Sequence, residues 1–356
     1  MSPVRSSFLD LLRSCCALLV MFTHIRCAVF VAYADLAAPA GVAMKSFIFL
    51  GLFGQAPVIT FFVLSGYLVG GSLMRAELKP WTPIDYMIKR LLRLWIVLLP
   101  AFALLALLPC SLRESGNTSL WVLLKNVCFL QTIEAPAYAG DFPLWSLANE
   151  FWYYVLFLGG WIAWKAEGRP RWVSLAMLGG LLAWLPFTIS CTMLHWLLGV
   201  AVAGAPQVKR LPTLSFVALA LSFCASRLWM SGYTVDLFVA LSVAYAIHCV
   251  EDSSVACAFL RRTAAFWQFL ASFSFSLYVL HVPVMHFLLE NVFRHTDRVQ
   301  PSASGFTLFA LTLGLTMLSA WLFSLGTERY TLSLRRRLFG LLSRLPRLGF
   351  LGAKTD

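Results

Sequence analysis

Charged side chains are scarce in this sequence of 356 residues. Its 28 Lys and Arg and 16 Asp and Glu together make up 12% of the chain, whereas soluble domains carry about 25% charged residues. Hydrophobic residues account for 60% of the positions. This balance excludes a soluble globular protein, an intrinsically disordered chain and a secreted disulfide scaffold. It predicts an all-α polytopic membrane protein.

Metal-binding motifs and a cleavable leader are missing as well. The nine cysteines include no C-x-x-C pair, and most lie in or beside apolar runs, where a thiol behaves as a small apolar group. We therefore expect no metal cofactor. The first apolar run carries Arg13, His24 and Arg26 without a clean cleavage site, which argues against a signal peptide.

Apolar runs of the length needed to cross a bilayer follow one another along the chain. They predict a bundle of about ten transmembrane helices. The runs are Phe8–Tyr33, Phe47–Met74, Leu94–Pro109, Pro143–Trp164, Val173–Ser190, Cys191–Ala205, Thr213–Trp229, Tyr233–Val250, Trp267–Phe293 and Gly305–Leu325.

The basic residues between these runs predict the orientation of the chain. With the N-terminus in the cytoplasm, 20 Lys and Arg fall on the inner side and six on the outer side, as the positive-inside rule requires when both termini are cytoplasmic. The net charge of +12 then reflects topology, and we expect no nucleic-acid partner. Residues 1–329 form the predicted membrane domain. Residues 330–356 form a basic tail, expected to be an amphipathic helix on the inner leaflet or a solvated anchor.

Ionisable residues within or beside the apolar runs are the first candidates for function, because a charge at the bilayer centre costs about 2.5–3.5 kcal/mol. Arg13 and His24 are 11 residues apart, so they share one helix face at a separation of about 16 Å. Such a face would suit a channel for an anionic cofactor. A snorkelling arginine and a buried structural histidine are the alternative. Arg90 and Arg93, at the inner surface, could grip phosphates or simply anchor the helix.

Two later helices also carry polar faces. Glu150 shares a face with Ser146, and Tyr278 shares one with His281 beside Pro283. A proline inside a helix leaves a carbonyl without its usual partner and can kink the helix. These faces predict either a polar cavity or plain hydrogen bonding between helices.

Six ordered segments spanning residues 9–329 resemble the acyltransferase type 3 family, integral-membrane enzymes that mostly O-acetylate bacterial surface sugars. No single segment is specific to this family, but the six segments in this order are. The segments are Leu9–Arg13 with His24, Phe61–Leu68, Arg90–Arg93, Trp145–Tyr153, Ser276–Pro283 and Thr327–Arg329.

The resemblance implies an O-acetyltransferase of the bacterial cytoplasmic (inner) membrane. Such an enzyme would move an acetyl group from cytoplasmic acetyl-CoA to a sugar hydroxyl of an extracytoplasmic exopolysaccharide or a lipid-linked sugar. The same chemistry with a succinyl or longer acyl donor, or with a small-molecule acceptor, is an alternative. A transporter or flippase of lipid-linked sugars is another, and it would have no use for acetyl-CoA.

The resemblance also implies roles for individual side chains. His24 becomes the general base that deprotonates the acceptor hydroxyl, with Arg13 and Glu150 completing the catalytic group. Direct transfer and an acyl-histidine intermediate both stay open. The residues implied in acetyl-CoA binding are Arg13, Arg90, Arg93, Tyr278 and His281.

Overall fold

The structure, a computed structural model, is helical and has no strand beyond isolated bridges in the residues it describes. Seven helices in this part are long and apolar enough to cross a membrane. The all-α prediction is confirmed, and the helices fit a multi-pass membrane protein. The count of ten and the cytoplasmic location of both termini stay predictions. The described residues are 2–39, 41–74, 82–111, 117–205, 211–228 and 232–342.

The helices are numbered here in chain order. A π-helical turn, Gly66–Gly70, joins α3 to α4, and a second one, Leu288–Val292, follows α13. The bounds are α1 Pro3–Val29, α2 Val42–Leu50, α3 Gln55–Ser65, α4 Gly71–Met74, α5 Pro83–Leu107, α6 Leu120–Val127, α7 Trp145–Lys165, α8 Arg169–Trp184, α9 Phe187–Gly204, α10 Pro212–Leu228, α11 Tyr233–Cys249, α12 Ser254–Ala271, α13 Ser274–Phe287, α14 Ala303–Gly326 and α15 Thr331–Leu342.

Two predicted spans are divided in the structure. The run Phe47–Met74 begins in α2 and restarts in α3. The run Trp267–Phe293, predicted as one span, breaks between α12 and α13. At that break the hydroxyl of Ser272 donates to the carbonyl of Phe269, and the hydroxyl of Ser274 to that of Ala271. Serine hydroxyls that bind nearby carbonyls compete with the backbone donors of a continuing helix, so the prediction of one unbroken helix was wrong.

Helices α3 and α9 cross at backbone contact. A Cβ atom on Gly66 would lie 1.8 Å from the carbonyl oxygen of Trp196, and one on Gly199 would lie 2.0 Å from that of Val63. Only glycine permits such an approach. The crossing and the π-helical turn after it, a feature often found at functional sites, fix Ser65 at the end of α3.

Helix α1 lies at the centre of the bundle, where it packs against α3, α12, α13 and α14. The start of α13 is held from a distant part of the chain. The backbone N–H and the hydroxyl of Ser276 donate to Oε2 of Glu328, at 3.2 and 2.9 Å. This carboxylate follows α14 directly, so it ties α13 to α14 beside α1.

The predicted external loop, Cys110–Phe142, is folded onto the ends of α5 and α7 over its described residues 117–142. Two indole N–H groups clamp its backbone. Trp95 of α5 donates to the carbonyl of Val127 at 3.0 Å, and Trp152 of α7 donates to that of Phe129 at 2.9 Å. The loop is therefore packed against the bundle at its helix ends.

Candidate active site

An open cavity of about 590 Å³ lies between α1, α3, α5, α7 and α13. Four of the predicted site residues line it, each from a different helix: Arg13, Arg93, Glu150 and Tyr278. Its walls thus carry two guanidinium groups and one carboxylate, an excess of positive charge. The apolar part of the lining consists of Phe61, Phe62, Leu64, Leu68, Leu147 and Phe275.

The carboxylate of Glu150 is oriented by hydroxyl donors. Its Oε1 accepts a hydrogen bond of 2.6 Å from Ser65 and another from the hydroxyl of Tyr154. The indole of Trp196 donates in turn to the Ser65 hydroxyl at 3.1 Å. Both bonds end on Oε1, and the same residue lines the cavity, so the carboxylate is held in place beside it.

The ring of Tyr278 is fixed by its hydroxyl. That oxygen lies 2.7 Å from Oγ of Ser146 and 3.0 Å from the carbonyl oxygen of Pro143. The Ser146 hydroxyl also lies 3.3 Å from the Pro143 carbonyl oxygen, so the two hydroxyls and this carbonyl form one hydrogen-bonded cluster. The cluster holds the Tyr278 ring in place as part of the cavity wall.

Beyond Tyr278, the structure brings His24 and His281 into contact. Nδ1 of His24 lies 2.8 Å from Nε2 of His281, and Nδ1 of His281 lies 2.7 Å from the carbonyl oxygen of Tyr278. The ring centroids of the two histidines are 4.9 Å apart. Neither ring is among the cavity-lining residues, but the rings of His281 and Tyr278 are neighbours, with centroids 5.9 Å apart.

The hydrogen-bond pattern assigns the tautomers of this histidine pair. The carbonyl of Tyr278 accepts, so His281 carries its proton on Nδ1. The His281 ring is 1% exposed, and no ion pair joins it to any described carboxylate, which favours the neutral form. Its Nε2 is then an acceptor, and His24 must donate from Nδ1. The lone pair of His24 therefore resides on Nε2.

Arg90 is separated from the cavity lining. Its Nη2 donates to the hydroxyl of Ser72 at 3.0 Å, and its guanidinium lies over the ring of Tyr86 at 5.3 Å from the centroid. The two arginines of the R-x-x-R segment thus differ, since Arg93 lines the cavity and Arg90 is held by neighbouring side chains.

Asp141, just before α7, is a buried residue that the sequence analysis missed. It is 1% exposed, and its Oδ2 has no hydrogen-bond partner among the described residues. Burial raises the pKa of this carboxyl well above its usual range. A lone Asp in an external loop gives no sequence signal for burial, because loop residues are ordinarily exposed.

Replacing Asp141 by Asn should change how stability depends on pH. The unfolded chain releases the Asp141 proton near pH 4, whereas the folded chain keeps it to higher pH. This carboxyl therefore supports folding fully below about pH 4, and its contribution is lost as pH rises towards the folded pKa. Relative to wild type, Asp141→Asn should gain stability with rising pH, by at most about 1.4 kcal/mol per pH unit. Thermal unfolding of both proteins from pH 4 to 8 measures this, and parallel profiles would contradict it.

A comparison with protein-family profiles decides the family. The profile described as an acyltransferase domain matches residues 6–325, which is most of the chain. The chain belongs to the acyltransferase type 3 family. The matched region of this acyltransferase contains all seven predicted site residues, the cavity and the histidine pair. Comparisons with curated proteins and with solved structures return no match.

Proposed function

We propose that this acyltransferase moves an acetyl group from cytoplasmic acetyl-CoA to a sugar hydroxyl of an extracytoplasmic or lipid-linked polysaccharide, in the bacterial cytoplasmic membrane. The observation that carries the proposal is the chain of hydrogen bonds from the Tyr278 carbonyl through His281 to His24, next to a cavity with two arginines. The histidine pair would supply a base, and the neighbouring cavity a binding site for an anionic donor.

The cavity suits the donor by charge and by surface. Guanidinium groups bind phosphate oxygens through charge-assisted hydrogen bonds, and Arg13 and Arg93 both line the cavity. The apolar lining would accept the pantetheine arm. Glu150, held by its hydroxyl donors, lines the same cavity and balances part of the positive charge there when the donor is absent.

His24 would act as the general base. Its Nε2 accepts the proton of the acceptor hydroxyl while the hydroxyl oxygen attacks the thioester carbonyl. The carbon–sulfur bond then breaks, and the proton passes to the leaving thiolate, giving the acetyl ester and free CoA. The step needs no metal and no further reactant.

His281 would orient that base. When His24 becomes an imidazolium, its Nδ1–H still donates to Nε2 of His281, which has no proton of its own at that atom. The neutral ring thus does for His24 what a carboxylate does for the histidine of a serine hydrolase, holding the tautomer and the ring position.

The position of His24 supports an acceptor from the opposite side of the membrane. It lies 11 residues after Arg13, about 16 Å further along α1. The donor phosphates at Arg13 and the acceptor hydroxyl at His24 would therefore enter from the two ends of one helix. The partners of the enzyme are then the bilayer and the acceptor glycan.

The arginines of the R-x-x-R segment provide the test of donor binding. Arg93→Gln should weaken acetyl-CoA binding about 10- to 150-fold, since a charge-assisted contact is worth about 1.5–3 kcal/mol. Arg90→Gln is the matched variant and should have a smaller effect, because its guanidinium is engaged with Ser72 and Tyr86. Calorimetry on purified protein measures both affinities, alongside acetyl transfer by wild type.

If wild type and Arg93→Gln bind acetyl-CoA with equal affinity, Arg93 does not bind the donor and serves as a membrane anchor. Wild-type protein that binds no acyl-CoA at all would remove the enzymatic proposal and favour a transporter.

A further inference from the structure

Arg26 is a buried cation that the acyl-transfer chemistry does not use. It lies in α1 and is 5% exposed. Nε of its guanidinium is buried without a hydrogen-bond partner, and no ion pair joins it to another described residue. Ionisable residues inside membrane helices are ordinarily paired or face a cavity, since an isolated charge there is costly. An unpaired guanidinium at this place indicates a missing anion.

A second unpartnered donor lies one turn earlier on the same face. Thr23 is buried, and its Oγ1 also has no hydrogen-bond partner in the described part of the chain. Residues three apart are neighbours on a helix surface, so the Thr23 hydroxyl and the Arg26 guanidinium lie on one side of α1. His24 comes between them in sequence, but it points to α13 instead. Two donors on one face suit a ligand with several acceptor oxygens.

The loop between α2 and α3 is shaped to the arginine. A Cβ atom on Gly51 would lie 2.8 Å from Nε of Arg26 and 3.0 Å from its Cδ and Cγ. Gly54 faces Thr23, with its Cβ position 4.0 Å from the threonine methyl. The loop therefore packs against the side chains of both Thr23 and Arg26. Because Gly51 has no side chain, it leaves room for the side chain of Arg26.

The same loop borders an open cavity of about 690 Å³. Gln55 and Arg227 line this cavity, and Nε of Arg227 is likewise buried without a partner among the described residues. The cavity lining includes neither Thr23 nor Arg26, so the cavity places a polar and a cationic side chain beside the loop that packs on this pair.

We propose that Thr23 and Arg26 bind a phosphate group of a membrane lipid, on the side of α1 away from His281. Arginine and a hydroxyl are a common pair of phosphate donors. Arg26 lies only three residues before the end of α1 at Val29, about 5 Å along the axis, which is where lipid phosphates meet a spanning helix. The exposed, apolar helix α2 beside it fits the same interface. The site goes beyond acyl transfer and does not depend on it.

Binding of lipids to purified protein in detergent tests the site without any acyl donor. The probes are a polyprenyl monophosphate, phosphatidylglycerol and inorganic phosphate, followed by native mass spectrometry and by the shift in melting temperature. At least one lipid should bind wild type, and Arg26→Gln should weaken that binding about 10- to 150-fold. Thr23→Val should weaken it several-fold. Lys45→Gln removes an exposed cation from α2 and should bind like wild type.

The two lipids identify the source of the phosphate. Preference for the polyprenyl monophosphate indicates a lipid-linked glycan, and equal binding of phosphatidylglycerol indicates an ordinary phospholipid headgroup. If inorganic phosphate raises the melting temperature of wild type as much as either lipid does, the proposal that the phosphate belongs to a lipid is wrong. Lipid binding that is unchanged in Arg26→Gln would overturn the site itself.

Arg26→Met separates a binding role from a structural one. If the guanidinium is an unpaired charge awaiting a ligand, this variant should melt no lower than wild type in lipid-free detergent and should lose the stabilisation by lipid. A melting temperature lowered equally with and without lipid would show that Arg26 only supports the fold. These lipid-binding and melting measurements do not use acetyl-CoA. They therefore test the lipid site even if the protein proves not to transfer acetyl groups.

Discussion

His24→Ala should lower acetyl transfer per folded molecule by about 100- to 10,000-fold, the usual contribution of a general base. The lone pair on Nε2, fixed by the bond from Nδ1 to His281, is lost with the ring. Acetyl-CoA affinity should survive, because the variant changes neither Arg13, about 16 Å away along α1, nor Arg93 of α5, which lines the cavity with it. The measurement is the rate of transfer at saturating donor, normalised to monodisperse protein.

A matched control for this variant is His195→Ala. His195 is fully buried, and neither of its ring nitrogens has a hydrogen-bond partner among the described residues. Its loss removes a buried imidazole of the same size from α9 without touching the histidine pair. Should His24→Ala transfer acetyl groups within a few-fold of wild type, His24 is not the base. Should both variants lose activity only in proportion to folded protein, both histidines are structural.

His281→Ala should reduce transfer by about 10- to 1,000-fold, and His281→Gln should recover a measurable part of that loss. Alanine leaves Nδ1–H of His24 without its acceptor at 2.8 Å, so the ring is free to change tautomer and direction. Glutamine can place a side-chain oxygen near the former Nε2 and accept the same bond. Recovery by glutamine is the result that a purely steric role of His281 would not give.

The control on the same helix is His286→Gln. This histidine pairs with Glu290 at 3.0 Å, away from the cavity, and its replacement should leave the transfer rate unchanged. Comparing the pH–rate profiles adds a second readout. An orienting His281 sets the protonation behaviour of His24, so the profile of His281→Gln should move relative to wild type. Identical profiles and equal loss in both His281 variants would contradict the orienting role.

The sequence predicted the parts of the site that depend on one helix. The spacing of Arg13 and His24 placed two polar groups on α1, and periodicity within α7 and α13 indicated faces for Glu150 and Tyr278. The contact between His24 and His281 joins residues 257 positions apart. No periodicity within one helix reports which two helices pack together, so this pairing required the structure.

Arg90 and Arg93 are three residues apart but lie in different surroundings. Three residues turn a helix by about 300°, which leaves the two side chains about 60° apart. That angle is enough for Arg93 to line the cavity while Arg90 reaches Ser72 of α4. The spacing left phosphate binding and membrane anchoring open for both residues, and it contains no information on which neighbouring helix each side chain meets.

The packing of the loop 117–142 against the bundle has a consequence for the proposed acceptor. Its backbone is bonded to indole groups of α5 and α7, and Phe129 and Thr132 hold left-handed backbone conformations. A segment tied down in this way loses little conformational entropy when a partner arrives, and its amides should exchange slowly with deuterated solvent. If the acceptor is a glycan, as proposed, it would meet a preformed surface at this loop, and the shape of the glycan, more than any closing of the protein around it, would decide which hydroxyl can reach the interior.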